Sequence, residues 1–246
     1  TNPDKFTSTK GITIPDPDYP NPVQEGNLIF TDPPRHRQLR KLINTGFTRR
    51  QVAILEPKVR EIVYGVLADV RSGSTHEFAE ELAAPLPTRM IAELLGAPPD
   101  DWEQFRRWSD ACTGNSDPEI EQDALVAVGE LFGYFQQLIV SRRAEPRDDM
   151  LSVLTTAEVD GAKLTDEDLL NFAFLLLVAG NETTRNLIAL GTLALIEHQD
   201  ECSKLVADPT LIPSAVEEML RWTSPVTHMA RAATREVEIR GQRIRE

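Results

Sequence analysis

From Thr165 to about His198 the chain keeps a helical spacing of apolar residues for more than thirty positions, which commits it to a largely helical architecture built around one long element. The start is marked by Thr165-Asp166-Glu167-Asp168, a capping-box arrangement with Thr at the cap and Asp in place of the usual Glu. Midway, the run Leu175-Leu176-Leu177-Val178 gives way to Ala179-Gly180-Asn181-Glu182-Thr183-Thr184. An unpaired polar side chain in an apolar environment costs roughly 2–7 kcal/mol, so a helix that accepts a carboxylate and hydroxyls there is expected to use them.

The rest of the chain reads as shorter helices. Residues 1–30, with Pro15, Pro17, Pro20 and Pro22 close together, are expected to be mostly irregular. Asp32-Pro33-Pro34 places an acid to cap and a proline early in a helix reaching about Asn44. A longer helix over 50–70 carries Val59, Ile62, Val63, Val66 and Leu67 on one stripe. Phe78 to Leu95 continues the helical period with Gly96 as its stop, and Pro98-Pro99-Asp100-Asp101 opens the next helix. Asp117-Pro118 starts another, to about Arg143, with Leu125, Val128, Phe132, Phe135 and Ile139 as its apolar face. Helices over 199–207 and 213–222 follow, and only then do Val237, Ile239 and Ile244 around Arg240-Gly241-Gln242 predict a small β-hairpin. The fold class is mainly α with a little β structure late.

At 246 residues the chain has room for a sizeable core, as one large domain or two small ones, and 41% apolar with 26% charged residues is an ordinary globular balance. The formal charge of −13 argues against nucleic acid as the main partner. Between Arg35 and Arg50, however, lie six cations (Arg35, Arg37, Arg40, Lys41, Arg49, Arg50) plus His36 and no acid. That segment is either a solvated helix face or a site for an anionic cofactor or acidic partner protein. The longest charge-free apolar stretch, Leu169 to Asn181, is short of the ~20 residues needed to span a membrane, and no leader opens the chain. A cytoplasmic protein with no membrane partner is expected. Cys112 and Cys202 sit in no metal-binding spacing, which fits a reducing compartment.

Gly180 and Thr183 are three residues apart and share a helix face, and the glycine permits a close approach to the backbone. Thr183 can bond back to the Ala179 carbonyl or turn its hydroxyl to a ligand. Glu182 points away from that face and would deliver protons through water or by rotating. The alternative for this stretch is a tight crossing with another helix. His36 and Arg40, at i and i+4, reach one surface and suit carboxylates or phosphates. Glu218 and Arg221 form an E-x-x-R pair of a kind common in helices, and Arg231 carries no meaning alone.

In combination these pieces are far more specific. D-P-P-x-H-x-x-x-R at 32–40, A-G-N-E-T-T at 179–184, E-E-M-L-R-W-x-S-P at 217–225 and R-A-A-T-R-E-V-E-I-R-G at 231–241, in that order, resemble the cytochrome P-450 haem-thiolate monooxygenases, particularly the soluble bacterial kind, from Asn2 to Arg245. The resemblance implies the family fold, with a haem cofactor whose propionates are held by His36, Arg40 and Arg231. It makes Ala179 and Gly180 the groove where dioxygen sits, Thr183 the hydrogen-bonding hydroxyl and Glu182 the acid that supplies protons. It makes Glu218 and Arg221 a structural ion pair. It implies an apolar small-molecule substrate, loosely assigned to Phe174, Leu177, Val178, Val226, Thr227 and His228, and a ferredoxin- or flavodoxin-type electron donor docking at the cationic segment.

The family ligates iron through a cysteine in a glycine- and phenylalanine-containing loop, and neither Cys112 nor Cys202 has that context. Residues 1–246 therefore read as an internal part of a P-450 domain, without its iron-ligating loop and first sheet strands, and inactive in oxygenation by themselves. The alternatives are a non-catalytic haem- or ligand-binding protein and a metal-dependent terpene cyclase. The cyclase requires acidic clusters that Asp148-Asp149, Asp100-Asp101 and the Asn181 region each fail to complete.

Overall fold

The computed structural model describes residues 4–12, 26–68, 70, 73–113, 118–159 and 161–246, without the side chains of 51, 113, 118–124 and 159. In chain order the regular elements are strand β1 (Phe6–Thr7) and helices α1 (Arg35–Ile43) and α2 (Arg49–Ala68), followed by a π-helical turn (Phe78–Ala83) that leads into α3 (Pro85–Leu95). A 3-10 turn (Pro99–Asp101) then opens α4 (Trp102–Thr113), and α5 (Pro118–Ala144) and α6 (Met150–Thr156) follow. The hairpin β2 (Glu158–Val159) and β3 (Ala162–Lys163) precedes the long α7 (Asp166–Glu197), then α8 (Gln199–Ala207) and α9 (Ile212–Thr223). Strand β4 (Ala232–Ala233) and the hairpin β5 (Val237–Ile239) and β6 (Gln242–Ile244) complete the order. The late hairpin and the 32-residue α7 stand where the sequence places them. No helix among the described residues is long and apolar enough to cross a membrane.

The head of α7 is built as its sequence dictates. Thr165 Oγ1 accepts from the Asp168 amide at 3.1 Å and the Asp168 carboxylate accepts from the Thr165 amide at 3.0 Å, satisfying two N–H groups that helix geometry leaves open. Gly96 ends α3 with φ +76°, and a Cβ there would overlap the Asp149 carboxylate, so only glycine serves. Two apolar clusters then fix α7 among its neighbours. Ile91, Leu95, Phe105, Leu131, Phe135 and Leu177 join α3, α4, α5 and α7. Leu39, Leu42, Ile139, Leu151, Leu154 and Leu169 join α1, α5, α6 and α7. Each fully buried leucine of this kind stabilises the fold by about 1.5–3 kcal/mol.

Several local expectations are corrected. Asp32 does not cap α1: Pro34 takes the cap position without a side-chain bond, and the Asp32 carboxylate instead accepts from the Thr7 hydroxyl and from the Ser8 amide at 3.0 Å. Partners at the end of β1 outcompete the helix end. The α2 stripe is only partly core, since Val66 is buried while Val59 and Leu67 are exposed. On α5 Leu125 is exposed, and Leu131, Phe135 and Ile139 carry the packing. The period from Phe78 to Leu95 covers two elements, because Pro85 lacks the N–H that a continuous helix would use. Helix α6, capped by Asp149 through the Ser152 amide at 2.7 Å, and the β2–β3 hairpin are too short to show a period. Within 1–30, β1 and a 3-10 turn at Leu28–Phe30 are ordered elements, whereas Pro15, Pro17, Pro20, Pro22 and the expected cap Asp117 lie outside the described residues.

Candidate active site

At the middle of α7 the polar residues divide between two faces. Ala179 is exposed, and Thr183, one turn on, is half-buried and donates its hydroxyl to the Ala179 carbonyl at 2.6 Å. Asn181 lies two positions from each, so it points the opposite way, into the core, where it is 4% exposed. There its amide donates to Ser109 Oγ at 2.7 Å and accepts from Thr88 Oγ1 at 2.9 Å. These three residues were not singled out by the sequence. Their only signal was an amide in an apolar helix, which has to be paired wherever it is buried.

Gly180 serves a helix crossing. A Cβ at that position would come 2.9 Å from Cδ1 of Ile91 on α3, so the space freed by the glycine is already used, and the open face is that of Ala179 and Thr183. Glu182 is half-buried, and among the described residues it has no ion-pair partner. The nearby cation Arg185 is engaged with Asp110 at 3.7 Å and Glu80 at 3.8 Å. Of the apolar residues loosely assigned to substrate, Leu177 belongs to the core at 0% exposure, Phe174 stacks on Phe132 at 5.8 Å, and Val226 is exposed.

The cationic side of the site is assembled from both ends of the chain. Strand β1 pairs antiparallel with β4, Thr7 opposite Ala232, which carries Arg231 to the segment that Asp32 holds. Burial raises the Asp32 carboxyl, but the bonds from Thr7 and Ser8 and the positive charge of Arg231 outweigh it and hold Asp32 below the usual carboxylate range. The His36 amide donates to the Asp32 carbonyl at 3.0 Å, so Arg231 stands near the head of α1. On α1, Arg35 pairs with Asp168 and ties the helix to the head of α7. His36 is half-buried and Arg40 exposed, and among the described residues neither has an acidic partner. From Asp168, the partner of Arg35, to Thr183 the helix rises about 22 Å.

Glu218 and Arg221 form an exposed bidentate pair on α9 with contacts of 2.6 and 2.7 Å, and the bonds from Arg221 hold the Glu218 carboxyl below its usual range. They stand apart from Thr183. Glu218 borders a cavity of about 600 Å³ between α7, α8 and α9, lined chiefly by Leu195, His198, Leu205, Met219 and Trp222 and by none of the expected cofactor-binding residues. Burial pushes the Cys112 thiol up to about 11, so it stays protonated at neutral pH. Among the described residues, no three His, Cys, Asp or Glu side chains gather as a metal-binding group.

Comparison with known proteins decides the family. The cytochrome P-450 family model matches residues 117–246, more than half of the chain. The chain belongs to the cytochrome P-450 family. It is 46% identical over 203 residues to the cytochrome P-450 monooxygenase PikC of Streptomyces venezuelae, covering 81% of this chain and 48% of that protein. It is 37% identical over 246 residues to the steroid C26-monooxygenase of Mycobacterium tuberculosis, covering 97% of this chain and 64% of that one. The ligand-free structure of cytochrome P-450 TbtJ1 superposes with a TM-score of 0.89 at 38% identity, covering 99% of this chain and 63% of the other. The chain thus spans between about half and two thirds of these relatives, and its helical fold is theirs. P-450 proteins bind haem, and the donor set here fits it: among the described residues His36 and Arg40 have no acidic partner, although the chain carries a net charge of −13. The face they would serve carries nothing larger than threonine at Ala179 and Thr183.

Proposed function

We propose that the chain is the central part of a haem monooxygenase that hydroxylates an apolar small molecule, with the thiolate ligand to iron supplied from outside these 246 residues. Haem held at this site would supply dioxygen activation, so that one oxygen atom enters a C–H bond and the other leaves as water with two electrons and two protons. His36, Arg40 and Arg231 would hold the two propionates by charge-assisted hydrogen bonds. Ala179, small and exposed, would leave room on that face of α7. Thr183 would turn its hydroxyl from the Ala179 carbonyl toward the open face, and Glu182, half-buried and unpaired among the described residues, would relay protons to it from solvent through water.

The observation that supports this reading is the charge of Arg231 acting on Asp32, whose carbonyl accepts from the His36 amide: it brings a cation 191 to 195 residues away in sequence near the head of the helix that carries His36 and Arg40. A substrate of lipid-like character is supported by the relative named for steroid oxidation. A ferredoxin- or flavodoxin-type donor is supported by Arg37, Arg49 and Arg50, exposed cations on a strongly acidic protein, and a cytoplasmic location agrees with both.

Thr183→Ala in the natural protein tests the assignment. Electron consumption should continue while product per dioxygen falls roughly tenfold and hydrogen peroxide rises, the loss expected when a positioned proton donor worth 10²–10⁴ in rate is disturbed. Unchanged coupling removes Thr183 from proton delivery.

A further inference from the structure

Asn181 and Thr184 are the polar residues of the 179–184 stretch to which the mechanism assigns nothing, and of the two Asn181 is the buried one. Its amide bridges three helices, α7 to α3 through Thr88 and α7 to α4 through Ser109, and Thr88 and Ser109 are 0% and 1% exposed. Thr88 also lies 3.0 Å from the Ala84 carbonyl, so its single proton is shared between two acceptors. The surroundings are otherwise apolar, with Phe105, Trp108 and Leu177 in the same cluster. In such surroundings a polar group paired at both its oxygen and its nitrogen selects one helix arrangement, because any rotation of α7 leaves an amide, a hydroxyl or both unpaired.

The next residue on α4 acts on the next turn of α7. Asp110 lies 3.7 Å from Arg185, while Ser109 holds Asn181, so two adjacent residues of α4 grip α7 at i and i+4. Glu182, Thr183 and Thr184 lie between those two grips. One grip is buried and neutral; the other is partly exposed and ionic, with Arg185 at 24% exposure and Asp110 at 45%. We infer that Asn181 is a positioning residue: its bridge to Thr88 and Ser109 fixes the rotation of α7 and thereby the direction of the Thr183 hydroxyl, with Asp110–Arg185 as a second, salt-sensitive hold. The inference rests on the proposed role of Thr183.

The test uses the isosteric pair of changes at Thr88. Thr88→Val keeps the shape and removes the hydroxyl, whereas Thr88→Ser keeps the hydroxyl and removes a methyl. In the natural haem-loaded protein, Thr88→Val should lower product per dioxygen at least fivefold and speed amide hydrogen exchange at residues 181–185 at least tenfold, and Thr88→Ser should leave both near wild type. A packing role alone predicts the reverse order, since the serine variant opens the larger void, and that order overturns the proposal. Faster exchange with unchanged coupling in Thr88→Val, where Thr183→Ala does uncouple, also overturns it. If Thr183→Ala itself leaves coupling unchanged, the reading of Thr183 fails, and the exchange data alone then decide whether Asn181 fixes the helix. Asn181→Leu, if it folds, should match Thr88→Val in both measurements.

Discussion

Along α7, seven of the eight buried residues lie from Asp168 to Asn181 and one, Gly191, lies beyond, although the second half also carries Leu190, Leu193 and Ile196. Those three are 45%, 48% and 60% exposed, while Leu169, Ala173 and Leu177 are at 0%. The two halves differ in what they face. The first half is enclosed by α3, α4 and α5, whereas the second meets α8 and α9 and borders the cavity between them. Apolar content alone therefore does not make a helix segment core. The Thr183 turn stands at the junction, held firmly on one side and open on the other.

Three measurements can break or sharpen this contrast. The largest effect belongs to the ion pairs of the two regions. Arg142 and Asp149, at 3% and 7% exposure and 2.5 Å apart, lie beneath the enclosed side, and Asp149→Ala strands the arginine and removes the cap of α6. A loss of about 3–5 kcal/mol in urea unfolding is expected. Glu218→Ala breaks the exposed pair on α9 and should leave the unfolding midpoint unchanged. Equal losses would erase the distinction.

The next effect compares like residues within α7. Leu177→Ala should cost about 2–5 kcal/mol, because it opens a cavity among Ile91, Leu95 and Phe105. Leu193→Ala removes a side chain already half in solvent and should stay within about 0.5 kcal/mol. A costly Leu193→Ala would show the second half to be packed in solution.

The smallest effect is pH dependence at the clasp of β1 on Asp32. The folded carboxyl is held below its unfolded value of about 3.9, so its contribution is fully present above about pH 4 and is lost as pH falls through the lower folded value. The stability gap between wild type and Asp32→Asn should therefore be constant from pH 7 to about pH 4 and shrink below it. A gap that widens on acidification would reverse the sign and contradict the assignment.

Features written in neighbouring residues were legible before the fold was known. The capping box at Thr165, the Gly96 stop, α8, the late hairpin and the Thr183-to-Ala179 bond all depend on partners within a few positions. The cations, the acid and the alcohol of the site were legible only through their combined order, since His36 and Arg40 as a pair are indistinguishable from a solvated face. What stayed hidden depends on distant partners. Asn181 needs Ser109 and Thr88, 72 and 93 positions away, and Asp32 abandons its helix for Thr7, 25 positions back. The freedom of Gly180 was visible, but the close approach of Ile91 to it required the position of α3.

The proposed convergence of His36, Arg40 and Arg231 on one dianionic group is tested most directly by the affinity of the natural apoprotein for haem against haem dimethyl ester, whose propionate charges are gone. Wild type should bind haem at least tenfold more tightly than the ester, and substituting all three residues by alanine should bring the two affinities together. Equal affinities in wild type, or a preference untouched by the triple substitution, would contradict the account.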